Sequence, residues 1–123
     1  MIQITEESFV SALRAAVAEK GEDYVYTNPD GREAGDDGEA TCHYVHGDQP
    51  GCLVGNVLHR LGVPLSVLEL HEGGAAYEVM GRIRESGQLD FDLGVRGAAE
   101  MAQNRQDAGY SWGYAMEAAL GEL

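Results

Sequence analysis

The chain is 123 residues long, 44% hydrophobic, and carries 21 acidic against 8 basic side chains, a net charge of −13. That length and apolar content fit one folded domain that needs no metal or disulfide staple, and they exclude a disordered chain. The basic residues, seven arginines and Lys20, are scattered, which excludes direct nucleic-acid binding, since that needs a cationic patch to release counterions.

The opening MIQITEESFV has no basic n-region and no long apolar stretch, so neither an export signal nor a membrane span is expected. The chain therefore reads as cytoplasmic, with Cys42 and Cys52 kept as reduced thiols. Thr5 is placed to cap a helix whose first turn holds Glu6 and Glu7, where negative charge meets the positive end of the dipole. Phe9, Val10, Leu13, Ala16 and Val17 then repeat at helical spacing up to Lys20 and Gly21. Asp23–Thr27 is β-branched and aromatic and predicts a strand, with the turn Asn28-Pro-Asp-Gly31 after it. An exposed acidic, glycine-rich loop is expected over about 28–39, and Ala40–Val45 is predicted to pair with the first strand.

His46-Gly-Asp-Gln-Pro-Gly51 breaks that strand, and Cys52–Leu61 predicts a buried helix ending at Gly62. Pro64 opens a short helical turn through Leu70, and Ala75–Glu85 predicts a helix weakened by Gly81. Leu89, Phe91 and Leu93 alternate with polar residues, as a short third strand would. Two helices, about Val95–Ala108 and Ser111–Leu120, close the chain with Gly109 between them and Ser111 as a cap. The expected fold is a single α+β domain over 1–123, mostly helical, with a small antiparallel hairpin or three-stranded sheet.

Chemistry concentrates between Cys42 and His59. Cys42, His46, Cys52 and His59 are zinc-type ligands, but their C-x3-H-x5-C-x6-H spacing is no standard finger. Cys52 and His59 would stand roughly 10 Å apart along one helix, too far to share an ion easily. Cys52 also follows Pro50-Gly51 at a helix start, where a thiol pKa falls, so it is the alternative nucleophile, with His43, His46 or His71 as its base. The apolar Leu53-Val54-Gly55 that follows favours a core-packing role for the helix instead. Acids between Asn28 and Glu39 do not match the register of an EF-hand loop. The stretch Asp107–Met116 has the outline of a helix-turn-helix, but its second helix carries no Lys or Arg. Tyrosine and tryptophan suit half-wet surfaces, so Tyr24, Tyr26, Tyr44 and Trp112 are the expected binding residues. Glycine-rich phosphate loops, a serine elbow and H-E-x-x-H are absent from the sequence. No cofactor or metal is expected.

The run Pro50-Gly-Cys-Leu-Val-Gly-Asn-Val-Leu-His-Arg-Leu-Gly-Val-Pro64, preceded by Cys42-His-Tyr-Val, resembles small uncharacterised proteins of actinobacteria and their phages. The segment Gln106-Asp-Ala-Gly-Tyr-Ser-Trp-Gly is similar to one that ends some of them. The resemblance implies no activity; it implies an accessory phage-type protein that acts by binding. Charge and elimination point the same way, to a non-enzymatic acidic module that binds a host protein, with nucleic-acid charge mimicry as one form of that binding. A homodimer is compatible with this, and neither membrane nor nucleic acid is expected as a direct partner. The alternative is a small-molecule binder or cysteine-dependent enzyme with its pocket near Cys52.

Overall fold

The computed structural model describes residues 1–27, 43–72 and 74–123. The expected loop at 28–39, the first residues of the expected strand at 40–45, and Cys42 lie outside the described residues. Elsewhere the chain runs as β1 (Ile2–Ile4), α1 (Glu6–Lys20), β2 (Val45–His46), β3 (Gln49–Pro50), α2 (Leu53–Arg60), α3 (Leu65–Glu69), α4 (Ala76–Glu85), β4 (Leu89–Phe91), α5 (Val95–Asp107) and α6 (Trp112–Leu120). This is a mostly helical α+β domain. None of its described helices is long and apolar enough to cross a membrane.

Local chemistry sets the helix ends. Thr5 Oγ1 accepts from the Ser8 amide at 3.0 Å, and Ser8 Oγ accepts from the Thr5 amide at 2.9 Å, a reciprocal cap with serine in the usual Glu position. Gly21 ends α1 at φ +98°, where a side chain would be strained, and its amide reaches Val17 O at 2.7 Å. Ser111 caps α6 through the Tyr114 amide at 3.2 Å.

The second strand of the expected hairpin of Asp23–Thr27 with Ala40–Val45 lies partly outside the described residues. Asp23–Thr27 joins neither described sheet, although Thr27 forms a single bridge, and nearby Glu22 O and Tyr24 O accept from the Gly113 and Trp112 amides at the start of α6, at 2.9 and 2.8 Å. The antiparallel hairpin is β2–β3, with Val45 opposite Pro50 and His46 opposite Gln49. The short third strand expected within Gln88–Leu93 is present over Leu89–Phe91 as β4, but its partner is β1, in parallel, with Ile2 opposite Leu89 and Ile4 opposite Phe91.

Helix α2 is the centre of the core, with every residue from Leu53 to Leu58 buried. Leu53, Val54, Val57 and Leu58 each contribute about 2 kcal/mol of burial, against α1 on one side and α5 on the other. The β2 segment lies directly on this helix. A Cβ added to Gly55 would sit 2.5 Å from Tyr44 O, and one added to Gly51 would overlap His43 O and the His46 ring. Both glycines are therefore packing requirements. Gly97, inside α5, has open space around its Cβ position and no positive φ.

These two environments predict opposite outcomes in denaturant titrations. Gly55→Ala should destabilise by about 2 kcal/mol or more through overpacking. Gly97→Ala should stabilise by about 0.5–1 kcal/mol through helix propensity. A neutral Gly55→Ala would show that β2 is not seated on α2 as described.

Candidate functional site

The four aromatic residues expected to form a binding surface are not presented to solvent. Tyr26, Tyr44 and Trp112 are fully buried, and Tyr24 is half-buried with its ring edge-on to Trp112 at 4.7 Å between centroids. The hydroxyls of Tyr26 and Tyr44 are core polar groups with specific partners, which corrects the reading of these two residues as surface contacts. Tyr44 Oη donates to Gly74 O at 2.7 Å and accepts from Gln103 Nε2 at 3.0 Å. Gln103 Oε1 in turn accepts from the Ala76 amide, so one buried amide ties α5 to the first turn of α4. Trp112 Nε1 finds no acceptor among the described residues.

Tyr26 Oη accepts from the His43 amide at 3.2 Å and shares a hydrogen bond with His46 Nε2 at 2.7 Å. Burial, with His43 and Lys20 nearby, lowers the His46 pKa and favours its neutral form. His43 Nδ1 lies 3.5 Å from Glu72 Oε2, and Glu72 Oε1 accepts from the Tyr44 amide at 2.6 Å. The result is a small polar cluster fastened over the start of α2. Burial raises both tyrosine pKa values, so neither hydroxyl is an acid near neutrality.

Cys52 caps α2, is fully buried, and is disulfide-bonded rather than a reduced thiol. That corrects the expectation of reduced cysteines. A sulfur held in a disulfide offers neither thiolate nucleophile nor zinc ligand, so the proposed pairing of Cys52 with His43, His46 or His71 has no attacking group. His71 lies on the turn after α3 and lines a separate cavity of about 110 Å³ with Glu78 and Arg82. His59 is exposed near the end of α2, with Nδ1 3.3 Å from Val63 O. Among the described residues no group of His, Cys, Asp and Glu is arranged to hold a metal ion.

Two residues that the sequence reading passed over complete the cluster. Gln106, fully buried on α5, accepts from the Leu53 amide at 2.7 Å and donates to Asp107 Oδ1 at 3.0 Å. Their signal was present: Ala98, Ala99 and Ala102 mark a buried α5 face that Gln103 and Gln106 continue. Burial pushes the Asp107 carboxyl up to about 6, with Glu100 adding to the shift and Gln106 and His43 opposing it.

The exposed aromatic groups lie elsewhere. Tyr110 and Tyr114 are each 49% exposed and stack at 4.5 Å between centroids. Beside them is a groove of about 250 Å³ lined by Glu22, Asp23, Ser111, Gly113, Tyr114 and Glu117. Gly113 lets α6 approach so closely that a Cβ there would sit 2.8 Å from Glu22 O. Acidic residues of two distant segments thus line one groove with Tyr114, the ring on which Tyr110 stacks. Tyr114 lies on α6 next to the buried Ala115, while Tyr110 precedes the Ser111 cap, so helical spacing does not mark the pair in sequence.

The described residues form a small, mostly helical α+β domain of a chain with net charge −13. Set against protein-family models, curated proteins and solved structures, the chain matches none of them.

The Asp107 environment predicts a pH-dependent stability. The folded carboxyl holds its proton to about pH 6 and the unfolded one only to about 3.8. The native state therefore binds the extra proton between these values, and stability falls as pH rises through that window. Asp107→Asn keeps an oxygen for Gln106 and should stabilise by about 1–2 kcal/mol above pH 6, with the gain vanishing below pH 4. Thermal melts of both proteins across this range check it; a gain independent of pH would contradict a buried carboxylate.

Proposed function

We propose that the protein is a non-enzymatic acidic interaction module that binds a basic segment of a partner protein through the Tyr110/Tyr114 face. The observation that carries this reading is the stacked, half-exposed ring pair set among Glu22, Asp23 and Glu117. Carboxylates attract Lys and Arg, and tyrosine faces receive the same cations while supplying apolar contact area. The net charge of −13 adds long-range steering toward a cationic partner and repels nucleic acid. It also opposes self-pairing across this face, because both copies would bring the same carboxylates together. The resemblance to actinobacterial and phage proteins makes a host protein the natural partner. A surface on which carboxylates stand where phosphates would otherwise lie is the mimicry form of this reading.

An arginine- and lysine-rich peptide, titrated against the protein by calorimetry, tests the assignment of the face. Tyr114→Ala and Glu117→Lys should each weaken binding by about 1–2 kcal/mol, roughly tenfold. Glu85→Lys, the same charge change on exposed α4, should shift it by less than about threefold. Equal losses from Glu117→Lys and Glu85→Lys would leave only a diffuse field and remove this face. A steep fall in affinity with salt marks charge mimicry, and a shallow one marks apolar docking through the rings.

A further inference from the structure

We infer that a second surface, on the α4–β4–α5 side, is a binding site for a small planar anion, meaning a ring that carries one carboxylate or phosphate group. This does not depend on the reading above. A cavity of about 550 Å³ there is lined by Tyr77, Arg84, Phe91, Asp92, Leu93, Gly94, Arg96 and Gly97, a size suited to a small organic ligand. Two of the protein's eight basic side chains meet in it, within a chain that is otherwise strongly anionic.

The arginines are held in place before any ligand arrives. The Arg96 guanidinium lies 3.7 Å from the Tyr77 ring centroid, and its Nε donates to Tyr77 O at 2.6 Å. Its far end rests on α4 at Gly81, where a Cβ would collide with the Arg96 terminal nitrogen. Gly81, which weakens the helix in propensity, is thus the notch that admits the arginine. No carboxylate among the described residues lies within 4.0 Å of the Arg96 nitrogens, whereas Arg84 stands at 4.0 Å from Asp90 Oδ1. Arg84 stacks on Phe91 at 4.6 Å. An arginine already fixed has less side-chain entropy left to lose on binding, and a pre-set guanidinium is what capture of a carboxylate or phosphate uses.

The walls define the rest of the ligand. Tyr77 is 47% exposed and Leu93 is 96% exposed, so apolar and aromatic surface stands open beside the cations. A flat ring can cover that surface while its anionic group meets Arg96 and Arg84. Asp92 also lines the cavity, with Oδ2 engaged by the Glu6 amide at 2.9 Å. Its negative charge disfavours polyanions such as di- and triphosphates and favours a single anionic group.

The test is ligand titration followed by NMR on the labelled full chain. Adenosine monophosphate and indole-3-acetate carry ring and anion together; adenosine and inorganic phosphate carry one each. Either or both of the first pair should bind with Kd below about 1 mM, shifting resonances of Tyr77, Phe91 and the Arg96 side chain, and should bind at least about tenfold more tightly than the single-feature probes. Which of the pair binds distinguishes phosphate from carboxylate as the anion. Arg96→Met should abolish the effect. Gly81→Ala should weaken binding on the order of tenfold while leaving the melting temperature equal or higher, because it displaces the guanidinium yet keeps its charge and improves helix propensity. Binding by neither ring–anion probe, or undiminished binding in Gly81→Ala and Arg96→Met, would overturn the site.

Discussion

The structure depends on closing the buried beginning of α2. A helix start leaves backbone N–H groups without partners, and at a buried position each orphan is expensive. Here the Cys52 amide reaches His43 O and the Gly51 amide reaches Tyr44 O, both at 2.8 Å. Leu53 N–H is taken by the Gln106 side chain. Asn56, also buried, returns its amide to Gly51 O and Cys52 O at 2.9 and 3.0 Å. The β2 segment, the polar end of α5 and the turn before α2 are therefore locked to one another by one accounting requirement. The histidines and tyrosines around 43–46 follow from it, since the strand must lie flat on two glycines to deliver those carbonyls.

Placing this polar machinery in the interior leaves the exterior to charge. The described acids are mostly exposed, while four of the cations pair or stack: Arg60 with Glu19, Lys20 against Tyr24, Arg84 and Arg96 over rings. Two faces of opposite character result. One sets Tyr110 and Tyr114 among carboxylates, and the other sets Tyr77 and Phe91 beneath guanidinium groups. Aromatic surface is common to both, and the sign of the neighbouring charge decides what each can receive.

What was legible in the sequence is what local chemistry decides. Thr5, Gly21 and Ser111 marked helix ends because caps are made by neighbours in the chain. The all-apolar run after Cys52 marked a buried helix for the same reason. The parallel pair β1–β4 was not legible, since three-residue strands carry too little periodicity and their partners are far apart in sequence. Tyr26 and Tyr44 looked like surface residues because the groups that satisfy their hydroxyls (His46, Gly74 O and Gln103) come from other segments. The oxidation of Cys52 was not legible because the absence of an export signal, which argues for reduced thiols, says nothing of which sulfurs the fold brings together. Gly81 reads as a weakness in one dimension; the arginine that occupies it arrives from the next helix.

The pairing of β1 with β4 also sets an order of events as the chain is made. Ile2–Ile4 is made long before the edge it joins, which does not exist until Phe91 has been synthesised. Synthesis proceeds at roughly 5–20 residues per second, so the apolar Ile4 waits several seconds with no strand beside it. Helix α1 can form early on its own cap and pack on α2 before β4 exists, whereas β1 gains its backbone partner only once β4 has been made.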